Sequence, residues 1–243
     1  EETVNNLSEC LKQMQYFDCF VLSKNPELVK AMRKLIPEVY GVIDYSEKFK
    51  DKDTLSKEEM VAIRKEMHTN YGTVAILPIE LCSKVNVQYL FDSIVNVWAL
   101  DTKNDEVSLF QGIVSGVIGV VTDQSARLYD IAKNSFFANS MTRMPLNIAH
   151  RGLPGIEGDR VAPENTIESA REAYAAGADV IELDIYLTTD NKVVVMHDNS
   201  TERTCNESVT VENCTITNPG ERVAACIRLR EQRYDSTGTL LKE

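Results

Sequence analysis

The sequence lacks a long apolar run, an excess of basic residues and any pair of cysteines at CxxC spacing. No apolar run reaches the ~18 residues that a membrane-spanning helix needs, and the longest candidate, residues 112–121, is interrupted by glycine and serine. The formal net charge of −11 argues against a nucleic-acid binder and against docking on anionic lipid through a polybasic patch. Without CxxC spacing among the six cysteines, a zinc site is not expected.

The cysteines and the chain ends bear on where the protein resides. Three cysteines lie among apolar residues and are predicted to be buried thiols: Cys10, Cys19 and Cys82. A Cys205–Cys214 disulfide in the polar tail would indicate export and stays open. No signal peptide is visible, but the chain begins without methionine, so we expect a fragment of a longer protein. The compartment is left undetermined, with a lean towards an exported or membrane-associated parent.

Short β-rich runs alternate with amphipathic stretches along most of the chain. Asn25 before Pro26 predicts a helix start, as do Ser56 and Glu59 at capping-box spacing. We predict strands at 17–22, 39–45, 73–77, 95–100, 117–121, 146–149, 180–187 and 193–196. Helices are predicted at 88–94, 106–114 and 166–176, with a connector at 128–145 and a short helix at 223–230. This alternation predicts an α/β fold with a parallel sheet, either open or closed into a barrel.

Two carboxylates lie two residues apart in the predicted strand 180–187. Side chains at this spacing share one face of a strand, so Glu182 and Asp184 are expected to point the same way. Two neighbouring carboxylates in an apolar strand repel each other and lose solvation. A hard divalent cation removes that cost, because it takes oxygen ligands from both. The alternative interpretation is a strand with one solvent-exposed face.

Two histidines each follow a short apolar strand. In parallel barrels the working residues gather at the carboxyl ends of strands, and histidine can exchange a proton near neutral pH. A lone histidine is more often structural, but His150 and His197 flank the carboxylate pair, which favours acid–base chemistry. Arg151 could hold a phosphate through two hydrogen bonds or form a surface ion pair. His68, near the end of a polar helix, is predicted to be a surface residue.

Four motifs stand in the order of a known family signature. They are His150-Arg151-Gly152, Ala162-Pro163-Glu164-Asn165-Thr166, Glu182-Leu183-Asp184 and Val195-Met196-His197-Asp198. Over residues 147–204 the chain resembles the front half of the glycerophosphodiester phosphodiesterases. The resemblance implies a TIM barrel, here incomplete or permuted, and a divalent metal, Ca²⁺ or Mg²⁺. It further implies that Glu182 and Asp184 bind the metal, that His150 and His197 are general acid and base, and that Arg151 contacts phosphate, with Glu164 and Asn165 supporting the site.

The same resemblance implies a reaction. The glycerol hydroxyl next to the phosphoester attacks phosphorus, one histidine removes its proton, and the other protonates the leaving alcohol. The small-molecule products are glycerol 3-phosphate and an alcohol. The family's third metal carboxylate lies on a later strand that has no match in this chain. Two alternatives therefore stay open: a non-catalytic, surface-displayed binding member of the family, and a related lipid phosphodiesterase.

Residues 17–129 resemble, more weakly, the back half of the same family. We therefore expect residues 1–130 to be the back-half portion of a first, degenerate barrel, 131–146 a connector, and 147–243 a truncated front half. Tandem barrels cut at both ends would explain this order, as would one barrel with permuted halves. Orphaned half-barrels expose apolar faces, so strands of the first portion are expected to pair with strands of the second.

Overall fold

Seven parallel strands follow each other in chain order through one sheet, and a short antiparallel strand pairs with the last of them. The structure, a computed structural model, describes residues 2–136, 145–154, 162–204, 208, 210–213 and 227–228. The parallel strands are β1 (Phe20–Ser23), β2 (Tyr40–Asp44), β3 (Val74–Pro78), β4 (Asn96–Leu100), β5 (Gly119–Thr122), β6 (Leu146–His150) and β7 (Val180–Glu182). A separate antiparallel hairpin comprises β8 (Ile185–Leu187) and β9 (Val193–Val195), and β10 (Ile227–Arg228) pairs antiparallel with β7.

Helices lie before and between the parallel strands, and several begin at a side chain that caps their first turn. They are α1 (Glu2–Met14), α2 (Pro26–Leu35), α3 (Ser46–Phe49), α4 (Lys57–Thr69), α5 (Lys84–Asp92), α6 (Glu106–Val114), α7 (Ser125–Asn134) and α8 (Ile167–Ala175). The Asn25 side chain accepts a hydrogen bond from the Glu27 amide, and Ser56 with Glu59 forms the predicted capping box. Within the described part of the chain, no helix combines the length and the apolarity needed to cross a bilayer.

The sheet is curled. One buried cluster on its inner face draws apolar side chains from all seven parallel strands, and Trp98 lies at its centre. The rings of Phe20 on β1 and Trp98 on β4 have centroids 4.7 Å apart. Three strand spacings in a flat sheet would separate the two strands by about 14 Å. The contact therefore requires curvature, and a second, larger core packs the helices against the outer face.

The two ends of the curled sheet approach each other. Helix α1, before the first strand, contacts the hairpin that follows the last parallel strand. The Asn6 side chain donates to the Asn191 carbonyl at 3.3 Å, and Ile185 packs on the apolar cluster beneath α1. Seven sequential parallel strands with this curvature make an incomplete barrel of the TIM type, which confirms the predicted fold class.

The pairing expected between the two portions of the chain is confirmed. Strand β5 pairs in parallel with β6, in the register Thr122 opposite Ala149. Behind this pair, the buried Ser125 hydroxyl donates to the Asn147 side chain at 2.9 Å, and the Asn147 amide donates back to the Ser125 carbonyl. The sheet is therefore continuous across the segment predicted to be a connector.

Three local predictions were wrong. The strand predicted at 180–187 ends at Glu182, and its second part pairs with β9 outside the main sheet. The first residues of the predicted connector, from Leu128 to Asn134, belong to helix α7. Residues 227–228, predicted to be helical, form a strand, and the rest of that predicted helix lies outside the described residues. The Cys205–Cys214 pair also lies outside them, so the disulfide stays a prediction.

Candidate active site

A tight turn after β6 places the first motif at the carboxyl edge of the sheet. Arg151 and Gly152 both adopt left-handed backbone conformations, with φ of 57° and 87°. In this turn the Arg151 amide donates to Glu182 Oε2 at 3.2 Å, and its carbonyl accepts from the Asn165 amide at 3.0 Å. A Cβ atom on Gly152 would meet the backbone of Ser169, so glycine allows the turn to lie against helix α8. The backbone thus joins three of the four motifs.

The acid pair meets at this turn, although the strand that was expected to carry both ends between them. Glu182 ends β7 and is only 8% exposed. Beyond it the Asp184 amide donates to the Asn165 side chain at 3.3 Å instead of to a neighbouring strand. The Asp184 carboxylate accepts from the Asn165 side-chain amide at 3.2 Å and lies 3.5 Å from Arg151 Nε. Both acids therefore contact the same turn, which holds them near each other without a shared strand face.

Burial disfavours the ionised form of Glu182. Loss of solvent raises the pKa of Glu182 above its ordinary value, and this outweighs the lowering by the charge of His150. The charge of Asp184 raises this pKa further. A carboxylate in this state gains from a nearby cation.

His150 is held between two acids. Its Nδ1 lies 2.7 Å from Asp123 Oδ1, and its Nε2 lies 3.9 Å from Glu182 Oε2. Burial lowers the pKa of His150, but the hydrogen bond with Asp123 and the charge of Glu182 outweigh it, and the net shift is upwards. Because an ionised carboxylate only accepts hydrogen bonds, Nδ1 of the neutral ring carries the proton. Nε2 then has no proton and lies on the side of the ring that faces Glu182.

His197 is also held by an aspartate, but it lies after a strand of the hairpin and not after a strand of the main sheet. It follows β9, a strand of the hairpin, so its expected position at the end of a parallel strand was wrong. Its Nδ1 lies 2.6 Å from Asp198 Oδ1, and Arg203 Nε donates to the other oxygen of Asp198 at 2.6 Å. Arg203 also donates to both oxygens of Glu164, at 2.8 and 2.5 Å. The hairpin is thereby tied to the second motif.

Glu164 and the two arginines form the middle of the site. Arg151 Nη1 donates to Glu164 Oε1 at 3.3 Å, so both carboxylate oxygens of Glu164 are bound by guanidinium groups. Hydrogen bonding from Arg203 lowers the pKa of Glu164, which keeps it ionised. Arg151 Nε is buried and makes no hydrogen bond. A donor in that state can serve an incoming anion.

All seven residues predicted from the sequence lie in one network of contacts. The network runs from His150 through Glu182, Arg151 and Glu164 to Arg203, Asp198 and His197, with Asp184 and Asn165 attached at the turn. Sequence reasoning gave no role to Asp123, Asp198 or Arg203. Adjacency to a histidine could have indicated Asp198, whereas Asp123 required knowledge of which strands pair. His68 is exposed, as predicted.

The donor set was tested against the divalent cation that the resemblance implies. Two hard carboxylates, one of them buried and costly to charge, fit two positions of such a site. Among the described residues, no cluster of three or more histidine, cysteine or acidic side chains could hold a metal ion. The site therefore fits the cation with two ligands, Glu182 and Asp184.

Comparison with known proteins finds the same family that the four motifs resemble. Residues 150–232 match the family model of the glycerophosphoryl diester phosphodiesterase family. The chain is 42% identical over 101 residues to glycerophosphodiester phosphodiesterase 1 of Mus musculus, which is 40% of this chain and 28% of that protein. It is 44% identical over 71 residues to the glycerophosphodiester phosphodiesterase of Caldanaerobacter subterraneus subsp. tengcongensis, covering 29% of this chain and 27% of that protein.

A third relative gives the same result. The glycerophosphodiester phosphodiesterase of Bacillus subtilis (strain 168) is 42% identical over 71 residues, 29% of this chain and 22% of that protein. The chain thus spans less than a third of the length of each of these three relatives. The family-matched segment contains all seven predicted site residues, whereas Asp123 precedes it.

Proposed function

We propose that the protein hydrolyses glycerophosphodiesters to glycerol 3-phosphate and an alcohol through acid–base chemistry at His150 and His197. One observation carries the proposal: each imidazole has its Nδ1 bound by an aspartate, at opposite ends of a network centred on Arg151. Fixing Nδ1 leaves Nε2 of each ring as the group that can exchange a proton. The family match of residues 150–232 and the names of the relatives support the substrate class.

In the proposed reaction one histidine takes the proton of the glycerol hydroxyl next to the phosphoester. That oxygen attacks phosphorus, and the second histidine gives a proton to the departing alcohol oxygen. Water then opens the cyclic glycerol phosphate by the reverse exchange of protons. The Arg151 Nε–H, which makes no hydrogen bond and lies 3.5 Å from Asp184, is proposed to meet the charge that develops on the phosphoryl oxygens.

Glu182 and Asp184 are the proposed ligands of a Ca²⁺ or Mg²⁺ ion. When bound, such a cation supplies positive charge at the phosphoryl oxygens. The two carboxylates are held by different donors. Glu182 accepts a hydrogen bond from the Arg151 amide, and Asp184 accepts one from the Asn165 side chain.

The test is turnover of glycerophosphocholine by the protein, with Ca²⁺ or Mg²⁺ added. His150→Ala and His197→Ala are each expected to lower kcat by about 10²–10⁴-fold, the range for a lost acid or base. His68→Ala is the matched control, because the third histidine is exposed and lies on α4, and it should leave kcat within about twofold of wild type. Unchanged turnover in either site variant would contradict the role assigned to that histidine.

A second candidate function, ligand binding without turnover, is favoured by one observation. Within the part of the chain that the structure describes, no third acid joins Glu182 and Asp184, and Arg151 lies against Asp184. Calorimetric titration of the protein with CaCl₂ distinguishes the two functions. Absence of both metal binding and turnover, with glycerophosphocholine still bound, would favour the binding function.

A further inference from the structure

The carboxylate nearest His150 comes from the first portion of the chain. Asp123 directly follows β5, and β5 pairs with β6 so that Thr122 lies opposite Ala149. The residues that come next along the chain are Asp123 after β5 and His150 at the end of β6. Their side chains therefore lie side by side, with His150 Nδ1 2.7 Å from Asp123 Oδ1. Asp123 precedes the family-matched segment by 27 residues.

The backbone around Asp123 is fixed on both sides. The Thr122 hydroxyl donates to the buried carboxylate of Asp101 at 2.9 Å and accepts from the Gln124 amide at 3.0 Å. Helix α7 begins at Ser125, whose hydroxyl is bound to Asn147 on β6. These hydrogen bonds fix the backbone on both sides of Asp123 relative to β6. The contact between the Asp123 carboxylate and the His150 imidazole therefore follows from the pairing of β5 with β6.

The contact has a chemical consequence for the ring. An ionised carboxylate accepts from Nδ1–H, which selects the tautomer that leaves Nε2 without a proton. In that state Nε2 is turned towards Glu182, 3.9 Å away. A second carboxylate behind a working histidine fixes the ring and its tautomer, as outer partners of histidine do in other sites.

We propose that Asp123 is a positioning residue for His150, so that the active site is assembled from both portions of the chain. Asp123 acts only through the imidazole, by holding Nδ1–H and orienting Nε2. The catalytic part of this inference rests on the proposed function, whereas the tautomer does not.

The first test is long-range ¹H–¹⁵N correlation spectroscopy of the imidazoles at a pH where the rings are neutral. The chain has three histidines, so His68→Ala and His197→Ala assign the signals by elimination. In wild type, His150 is expected as the Nδ1–H tautomer; in Asp123→Ala it should move to Nε2–H. The Nε2–H form in wild type, or one unchanged tautomer in both proteins, would overturn the proposal. The wild-type spectrum decides the matter even if the variant does not fold.

The second test separates positioning from general structure by kinetics. Asp123→Ala should lower kcat by about 10–100-fold with KM changed by less than about threefold, the range for a lost outer partner. Asp123→Asn keeps the shape but offers an amide donor as well as an oxygen acceptor, so it no longer selects the Nδ1–H tautomer and should not recover the loss. Asp130→Ala, an exposed acid on α7, is the control and should match wild type.

The two tests distinguish failure of the proposed function from failure of the positioning role of Asp123. If glycerophosphocholine is not turned over, the function is wrong while the tautomer still reports on Asp123. If turnover is normal in Asp123→Ala and the tautomer does not move, the positioning role is wrong and the proposed function stands.

Discussion

Substituting Gly152 by alanine tests whether the turn that joins the site motifs has the constraints described above. Gly152 has φ of +87°, and a Cβ there would lie 2.8 Å from the Ser169 backbone carbon and closer still to its hydroxyl. A left-handed conformation costs a non-glycine residue about 1–2 kcal/mol, and forcing an extra carbon into a packed position adds about 1–3 kcal/mol. Gly152→Ala should therefore lower the free energy of unfolding by about 2–5 kcal/mol.

Gly116→Ala isolates the first of these costs, that of the left-handed backbone conformation. Gly116 has φ of +92°, but the nearest atom to its Cβ would be a Val87 methyl at 3.8 Å, an ordinary contact. That variant should lose only the conformational term, about 1–2 kcal/mol. Urea unfolding followed by the fluorescence of Trp98, the one tryptophan and only 2% exposed, measures both. Equal shifts in the two unfolding midpoints would refute the close packing of the turn on α8.

Three further predictions concern the site and the cysteines. Arg203→Met, which removes the bonds that hold Asp198 behind the second histidine, should lower kcat by about 10–100-fold while Trp fluorescence stays native; unchanged kcat would contradict that support. Chelation by EDTA should abolish turnover and lower the thermal midpoint, and added Ca²⁺ or Mg²⁺ should restore both, whereas turnover that survives chelation would exclude the metal. Iodoacetamide at pH 8 should label half-exposed Cys10 before Cys82, because burial raises the pKa of Cys82 to about 12, as peptide mass spectrometry would show; labelling of Cys82 in the folded protein would contradict its burial.

Local signals in the sequence predicted most helices and strands well. The predicted capping residues Asn25 and Ser56 act as N-caps, and the helix predicted to start at residue 166 is capped by Thr166. Gly177, just after that helix, has the left-handed conformation typical of this position, with φ of +90°. These features depend on a few neighbouring residues, so the sequence contains all that decides them.

The predictions that failed depended on contacts between distant segments. Alternating apolar residues cannot show that a strand leaves the sheet after Glu182, because the break depends on the Asn165 side chain, which bonds the Asp184 amide. The same break moved His197 to a hairpin, and only its contacts through Asp198 and Arg203 return it to the site. The domain division at 131–146 stays a prediction, since a continuous sheet is compatible with either proposed ancestry.

In the candidate site, too, local motifs could be read from the sequence, whereas contacts between distant segments could not. The order of the motifs predicted the seven site residues, and the structure places those residues in one network of contacts. The partner of His150 could not be predicted, because Asp123 meets it only through the pairing of β5 with β6.

The most direct test of whether two aspartate-held histidines and an acid pair form a phosphodiesterase site is ³¹P NMR of glycerophosphocholine incubated with the protein and Mg²⁺ or Ca²⁺. The account predicts that the phosphodiester resonance is replaced by that of glycerol 3-phosphate, and that the replacement is lost when His150 and His197 are both changed to alanine. A phosphodiester signal that persists with the wild-type protein, or product that forms equally with the double variant, would contradict it.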